Sequence, residues 1–343
     1  MIKLGTVGTS AITESFLAAV ALTGRFEHYA VYSRSLETGN AFAKKQGAKK
    51  VFCDLAEMAE CGIEAVYIAS PNVFHADQSR IFLEHGVHVI CEKPIATSYA
   101  DYCELKALAD SKGLIYMEAI IPRHAEWYDT VKDAVSKIGK ISMARIDYSQ
   151  LTSRLPQYLR GEHINIFDMS LHAGTLMDLG VYCVYGAVDL LGEPKSITAM
   201  AQYLPNGADC SGAALFDYGD FPAVISYSKM GQAGFGSELI GMEGTLKIRM
   251  ISQYTGVTLV KEGRETELVG MKTKAELMRG EAAKLAEYIT CPENRADYAK
   301  ASELCAAVHR CMDKIRQSAG IEYPALKNKR STNDETGSCK CDL

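Results

Sequence analysis

The chain has 343 residues, 48% of them apolar and 23% charged, which is ordinary for a folded globular protein and long enough for two domains. That composition excludes a disordered chain, a collagen-like chain and a small disulfide-stapled domain. Acids outnumber bases 42 to 37 for a net charge of -5, so the broad basic surface that nucleic-acid binding needs is not expected.

Met1-Ile2-Lys3-Leu4 enters an apolar strand at once, and no run reads as long enough to cross a bilayer. No signal peptide, no membrane partner and a cytoplasmic location are the expectation. The 11 cysteines show no CxxC spacing, so reduced thiols and no metal site are expected.

Apolar runs and helical patterns then alternate. Strands are predicted at 2–7, 29–32, 65–69, 87–91 and 114–117. Helices are predicted at 13–22, 37–46, 74–84 and 99–109. Continuous apolar strands between helices imply a parallel sheet covered on both faces, a Rossmann doubly wound α/β domain over residues 1–120. After about residue 140 helices thin out and strand-like runs follow one another, at 197–203, 213–216, 223–230, 237–240, 245–250, 257–260 and 266–269. These predict a large open antiparallel sheet in an α+β domain over 121–329, closed by helices at 274–288 and 298–317. The tail 330–343, with Cys339-Lys340-Cys341, is polar and expected to be disordered.

The loop Gly5-Thr6-Val7-Gly8-Thr9-Ser10-Ala11 follows the first strand and opens the first helix. It approximates a GxGxxG fingerprint, and the register starting at Gly8 fits better. Glycine there lets the backbone approach a pyrophosphate, and the helix N-terminus supplies N–H donors. The expected cofactor contacts are Gly5, Gly8, Thr9, Ser10, Ala11 and Ile12. The second strand ends Tyr32-Ser33-Arg34-Ser35, with no acid before Glu37. An acid there would hold the ribose hydroxyls of NAD. Arg34 instead suits a 2′-phosphate, with Ser33 beside it, which favours NADP and leaves NAD possible.

Three segments carry a family resemblance: Ile68-Ala69-Ser70-Pro71-Asn72-Val73-Phe74-His75, Val87-His88-Val89-Ile90-Cys91-Glu92-Lys93-Pro94 and Met117-Glu118-Ala119. With Gly174-Thr175-Leu176-Met177-Asp178-Leu179-Gly180-Val181-Tyr182 they resemble the glucose-fructose oxidoreductase/inositol dehydrogenase (Gfo/Idh/MocA) family, over roughly residues 1–320. The resemblance implies cofactor contacts from Ser70, Pro71, Asn72, His75, Glu92 and Lys93, and a cis Lys93-Pro94 bond. It implies catalytic roles for Lys93, Asp178 and Tyr182. Inositol dehydrogenases place His where Tyr182 stands, so the resemblance favours the dihydrodiol dehydrogenase and glucose-fructose oxidoreductase branches over inositol.

The residues read on their own agree. Glu92-Lys93-Pro94 ends a parallel strand, where such sheets bind ligands. Asp178 and Tyr182 are four apart and share a helix face. A Tyr beside Lys⁺ is expected to have a lowered pKa and to relay a proton, with Asp178 orienting. The alternative is a capping Asp and a core Tyr. Arg123, Asn165 and His172 are expected near the substrate, with His124 and Arg160 close by. Trp127 reads as helix packing.

The sequence thus predicts an NADP-dependent oxidoreductase that moves a hydride between nicotinamide and a carbinol or carbonyl carbon of a sugar, polyol or dihydrodiol. The alternatives are a non-catalytic NADP-binding sensor or scaffold and a biliverdin-type reductase. Apolar residues on both faces of 223–230, Val224 on one and Ala223, Ile225 and Tyr227 on the other, predict a homodimer or dimer of dimers through the open sheet, with Val224 or Ile225 on its outward face.

Overall fold

In the computed structural model of the protein the described residues run from 1 to 324; the tail 330–343 lies outside them. The first part is β1 (Ile2–Val7), α1 (Ala11–Thr23), β2 (Phe26–Tyr32), α2 (Leu36–Gln46), β3 (Lys50–Phe52), α3 (Leu55–Ala59), β4 (Ala65–Ile68), α4 (His75–Glu84), β5 (His88–Glu92), α5 (Tyr99–Ser111) and β6 (Tyr116–Ala119). The strands form one parallel sheet in the order β3-β2-β1-β4-β5-β6. All four residues of β4 are buried, as a strand covered on both faces requires. The edge strand β3 and the one-turn α3 are too short to have been read from periodicity.

There follow α6 (Ile121–His124), α7 (Tyr128–Ser136), β7 (Ile141–Ser149), α8 (Leu155–Leu159), a π-turn (Leu176–Gly180) and α9 (Val181–Leu191). Then come β8 (Ser196–Tyr203), β9 (Asp209–Asp217), β10 (Pro222–Ser228), β11 (Ser237–Gly241), β12 (Thr245–Met250), β13 (Thr255–Lys261) and β14 (Arg264–Val269). Helices α10 (Lys274–Thr290) and α11 (Arg295–Ala319) close the described chain.

The second sheet has eight strands in the order β14-β13-β12-β11-β7-β10-β9-β8. It corrects the antiparallel expectation: β7 pairs with β10 in parallel, Ile146 opposite Ile225. β7 was missed because its run mixes Ser, Arg and Asp among the apolar residues. It separates β10 from β11, so the predicted antiparallel sheet is two antiparallel ribbons joined through a strand from earlier in the chain.

One face of this sheet packs on α9, where Ile146, Ile225, Tyr227, Leu239 and Ile248 meet Val184 and Val188. The stretch Met169–Leu191 corrects another expectation. By length and composition it passes as a membrane span, yet 78% of its most apolar window is buried within the fold, and it is this core helix. On the opposite face Met200 is 71%, Leu215 50% and Val224 37% exposed, with Phe235 beside them at 99%. Ile225 is fully buried, so only Val224 of the two candidates points outward.

The chain then returns to its beginning. Met278, Ala282, Leu285 and Tyr288 of α10 enter the core of the parallel sheet with Leu4, Phe16 and Val20. From α11, Val308, Met312 and Ile315 join the second core while Cys305 joins the first. A buried node marks the junction. Glu118, at the end of β6, accepts the Ile95 N–H (2.8 Å), the Tyr185 hydroxyl and the Cys305 thiol (3.2 Å), and meets His309 at 3.3 Å. Burial alone would raise its pKa, but His309 and the other donors outweigh this and hold it low. A carboxylate so engaged supplies the partners a buried charge needs. Cysteines among the described residues are free thiols.

Candidate active site

The order of the parallel sheet reverses between β1 and β4. Loops leaving in opposite directions there open a crevice at the strands' C-terminal ends, the usual ligand site of such sheets. Gly8 donates to Tyr32 O (3.2 Å) and Ala69 to Val7 O (3.0 Å), so three strand ends are tied together. Gly8 has φ 104°, and a Cβ there would stand 3.0 Å from Ala69 O; glycine alone fits without strain. Ser10 is the N-cap of α1 and its side chain makes no cap bond. The first turn of α1, next to Thr9, Ser10 and Ala11, thus has no side-chain cap, which is the arrangement an anion site at a helix start uses.

Gly5 is elsewhere. It lies inside β1, where a Cβ would collide with Met58 and come within 2.8 Å of Ile63. It is a packing glycine and no part of the phosphate loop. Arg34 is exposed just past β2 and has no ion-pair partner among the described residues. The Ser33 hydroxyl accepts the Ser35 N–H (3.4 Å), shaping that turn.

Between the two parts lies a cleft of about 360 Å³. Ile12, Ala69, Ser70, Asn72, His75, Glu92 and Lys93 line it from the first part, Asp178 and Tyr182 from the second, and Met278 and Glu281 from α10. A second cleft of about 190 Å³ is lined by Pro71, Asn72, Asn165 and Met177, and again by Lys93 and Asp178. Lys93 and Asp178 therefore face both.

Lys93 directly follows β5, and its bond to Pro94 is cis. Its Nζ donates to Asp178 Oδ1 and to the Asp178 carbonyl, both at 2.8 Å. The other carboxylate oxygen pairs with Lys229. One carboxylate thus sits between two ammonium groups. Burial would raise the pKa of Asp178, but Lys93 and Lys229 outweigh it and hold the carboxyl well below its usual range. Burial would likewise lower the pKa of Lys93, yet Asp178 first and Tyr182 second push it above the ordinary lysine value.

Lys93 Nζ lies 4.8 Å from the centroid of the Tyr182 ring, over its face rather than at its hydroxyl. The expected lowering of the Tyr182 pKa is not met. Burial raises it, and the charge of Lys93 offsets only part of that rise. Tyr182 is therefore a neutral phenol, and its hydroxyl makes no hydrogen bond among the described residues.

Asp178 lies in the π-turn and Tyr182 in the first turn of α9. Such wide turns cluster at functional sites. This one is anchored by buried Asp209: its Oδ2 accepts the Leu176 N–H (2.7 Å) and its carbonyl the Thr175 hydroxyl (3.0 Å). At Gly174 a Cβ would collide with Asp209 Oδ1. That oxygen has no partner, and burial pushes the Asp209 pKa up to about 6.

Other expected residues serve as supports. Ser70 donates to Gln78 (2.7 Å). Asn72 donates to the His172 carbonyl (3.0 Å). The His75 ring is wedged between the Ser70 and Pro94 carbonyls, 2.8 Å from each. Two expected substrate contacts are corrected. The Arg123 guanidinium donates to Asp297 (2.6 Å) and is 7% exposed, because the returning chain covers it. The His172 ring lies between Thr97 and Pro324 and stacks on Tyr323. His124 is buried, its pKa lowered to about 3 by burial and by Arg123. Arg160 pairs with Glu162 at the surface. Trp127 donates to Gln253 O (3.0 Å).

Sequence reading missed Lys229 and Glu281. Both had a signal. Lys229 continues the inward series Ala223, Ile225, Tyr227 at period two, and Glu281 falls on the helical stripe of Met278, Ala282 and Leu285.

Comparison with known proteins agrees with this architecture. Residues 2–120 match the GFO/IDH/MocA oxidoreductase family with its NAD-binding Rossmann fold, and residues 128–247 match the GFO/IDH/MocA C-terminal domain. The chain is 34% identical over 326 residues to the uncharacterized oxidoreductase YgjR of Escherichia coli (strain K12), covering 95% of this chain and 98% of that protein. It is 35% identical over 329 residues to scyllo-inositol 2-dehydrogenase (NADP(+)) IolU of Bacillus subtilis (strain 168), covering 95% and 99%. Among solved structures it resembles levoglucosan dehydrogenase in complex with NADH and levoglucosan, at TM-score 0.80 and 18% identity over 93% of this chain and 97% of that one. The chain belongs to the GFO/IDH/MocA family and is an oxidoreductase with an NAD(P)-binding Rossmann domain.

The Asp209 anchor sets a pH dependence. An acid whose pKa is raised by folding stabilises the fold fully below the ordinary carboxyl range and loses that contribution as pH rises through its folded pKa, here about 6. Asp209→Asn keeps an acceptor for Leu176 and does not titrate. Urea unfolding should show the variant gaining on the native protein between about pH 4 and about pH 6, and the gap levelling off above that. A gap that stays constant over that range would count against this role.

Proposed function

We propose that the chain is an NADP-dependent enzyme that interconverts a hydroxyl and a carbonyl on a sugar, polyol or dihydrodiol. The observation that carries this reading is the Lys93–Asp178–Lys229 cluster with Tyr182 at the meeting of two clefts. The cofactor fits the residues present: a glycine whose Cβ would press on Ala69 O, an uncapped helix start, and an unpaired arginine beyond β2. When bound, the nicotinamide supplies the hydride donor or acceptor. Gly8 and the first turn of α1 hold the pyrophosphate, and Arg34 with Ser33 holds the 2′-phosphate.

Two ammonium groups, Lys93 and Lys229, flank the single Asp178 carboxylate on one side of the site. Negative charge that develops on a carbonyl oxygen during reduction is stabilised there without rearrangement. Lys93 orients that oxygen. The Tyr182 phenol gives its proton to it in reduction and takes it back in oxidation. Asn165, in the adjoining cleft, is placed to bind a further substrate hydroxyl. A relative named as a scyllo-inositol 2-dehydrogenase and several named as trans-1,2-dihydrobenzene-1,2-diol dehydrogenases support a substrate with neighbouring hydroxyls. In this reading residues 1–120 carry the cofactor, the following domain carries the substrate and assembly, and the enzyme works in the cytoplasm.

The exposed row of Met200, Leu215 and Val224, with Phe235, is the proposed interface of a homodimer or dimer of dimers. A two-fold axis would place the same strands on both sides.

Arg34→Ala should weaken NADPH binding about ten- to hundredfold, the scale of a charge-assisted contact, and leave NADH little changed. Equal losses would remove the preference for NADP. Lys93→Met should abolish turnover across a panel of sugars, inositols and dihydrodiols while NADPH binding stays near native. Tyr182→Phe should lower kcat by about 10²–10⁴-fold; native turnover in that variant would exclude Tyr182 as the proton relay. Light scattering of the native protein should show more than one chain, and Val224→Glu should dissociate it. A native protein with the mass of a single chain would refute the assembly.

A further inference from the structure

Glu281 is 1% exposed and lines the larger cleft together with Glu92 and Lys93. Its Oε2 is buried and has no hydrogen-bond partner. No cation pairs with it among the described residues. Its neighbour Glu92 differs, because the Tyr67 hydroxyl (2.6 Å) and the Lys93 N–H (3.3 Å) already engage both of its oxygens. Glu281 is thus the acid of the cleft with free bonding capacity. α10 holds it there, since Met278, Ala282 and Leu285 on the same face are locked into the first core.

An unpaired carboxylate at such a position is costly, and the group escapes by keeping its proton. Burial, and then the charge of Glu92, push its pKa well above the carboxyl range. A neutral carboxyl presents one O–H donor beside one C=O acceptor. The complementary ligand group presents an acceptor beside a donor at the same spacing, which is a primary carboxamide.

We infer that Glu281 binds the carboxamide of the nicotinamide and so fixes which face of the ring looks toward Lys93 and Tyr182. This rests on the NADP reading above. Glu281 is in this sense a positioning residue for the ring, contributed by a helix some 160 residues beyond the parallel sheet it packs on.

The test uses three ligands titrated into the full chain: NADPH, its reduced 3-acetylpyridine analogue, and 2′-phospho-ADP-ribose. The analogue has a methyl group where the carboxamide has its N–H donors, and the third ligand has no ring. The native protein should prefer NADPH over the analogue about tenfold, the scale of one net hydrogen bond in a buried site. Glu281→Met should reduce that preference to within about twofold, with 2′-phospho-ADP-ribose binding unchanged. Glu281→Gln, which keeps a donor and an acceptor, should retain the preference and guards against a Met variant that fails to fold. Native-like preference in Glu281→Met, no preference in the native protein, or a parallel loss of 2′-phospho-ADP-ribose affinity would each overturn the inference. A native protein that binds none of the three would instead overturn the cofactor reading.

Discussion

Much of this structure depends on one carboxylate shared by two ammonium groups. Lys93 comes from the end of a parallel strand, Lys229 from just past β10 in the open sheet, and Asp178 from the π-turn that leads into α9. A buried ion pair is weak evidence for stability, because desolvation offsets much of its attraction. Its value here is geometric. With both carboxylate oxygens and the Asp178 carbonyl taken, the Lys93 stem has little freedom left, and its ammonium stands where both clefts meet. The remote supports serve the same end. Asp209 holds the turn that carries Asp178, and Tyr227, which precedes Lys229 by two residues, is packed against Gly180.

The second constraint is that the chain closes on itself. α10 and α11 are remote in sequence from the parallel sheet yet complete its core. The Glu118 node ties β6, α9 and α11 at one point and so links the two parts of the chain. Arg123 shows the consequence. It looks like a substrate contact in sequence, because it follows a strand end at the ligand edge of the sheet. The returning chain brings Asp297 to it and turns it into a buried strut.

Legibility in the sequence followed the strength of local periodicity. β1, β4 and β5 are continuous apolar runs, and their order along the chain with intervening helices implies the parallel sheet. Gly8 was readable because its neighbours fix where the turn falls. Gly5 was misassigned because glycine in a strand and glycine in a phosphate loop look alike until Met58 and Ile63 are seen packed on it. β7 escaped because polar residues alternate unevenly along it, and its parallel pairing with β10 is a long-range fact that local pattern does not encode. Lys229 and Glu281 lay on apolar stripes, but a charge on such a stripe marks a site only once its surroundings are known. The Tyr182 pKa failed for a related reason. The sequence showed the nearby cation and concealed the burial, and burial is the larger effect.

The acids of the cleft divide by environment, as paired carboxyls in enzyme sites do. Asp178 faces two cations and stays ionised. Glu92 and Glu281 are buried near one another, and burial raises both above their ordinary values. The division matters for the charge of the site as a whole. Were all three ionised, the two lysines would be outnumbered and the cleft would repel the oxygen that gains negative charge when a carbonyl is reduced. The raised pKa values of Glu281 and Glu92 lessen the negative charge set against the two lysines. The α10 end then offers hydrogen bonds rather than charge. Polarity is thus arranged along a single cleft, with the Lys93–Asp178 pair on one side and Glu281 of α10, its pKa raised by burial, on the other.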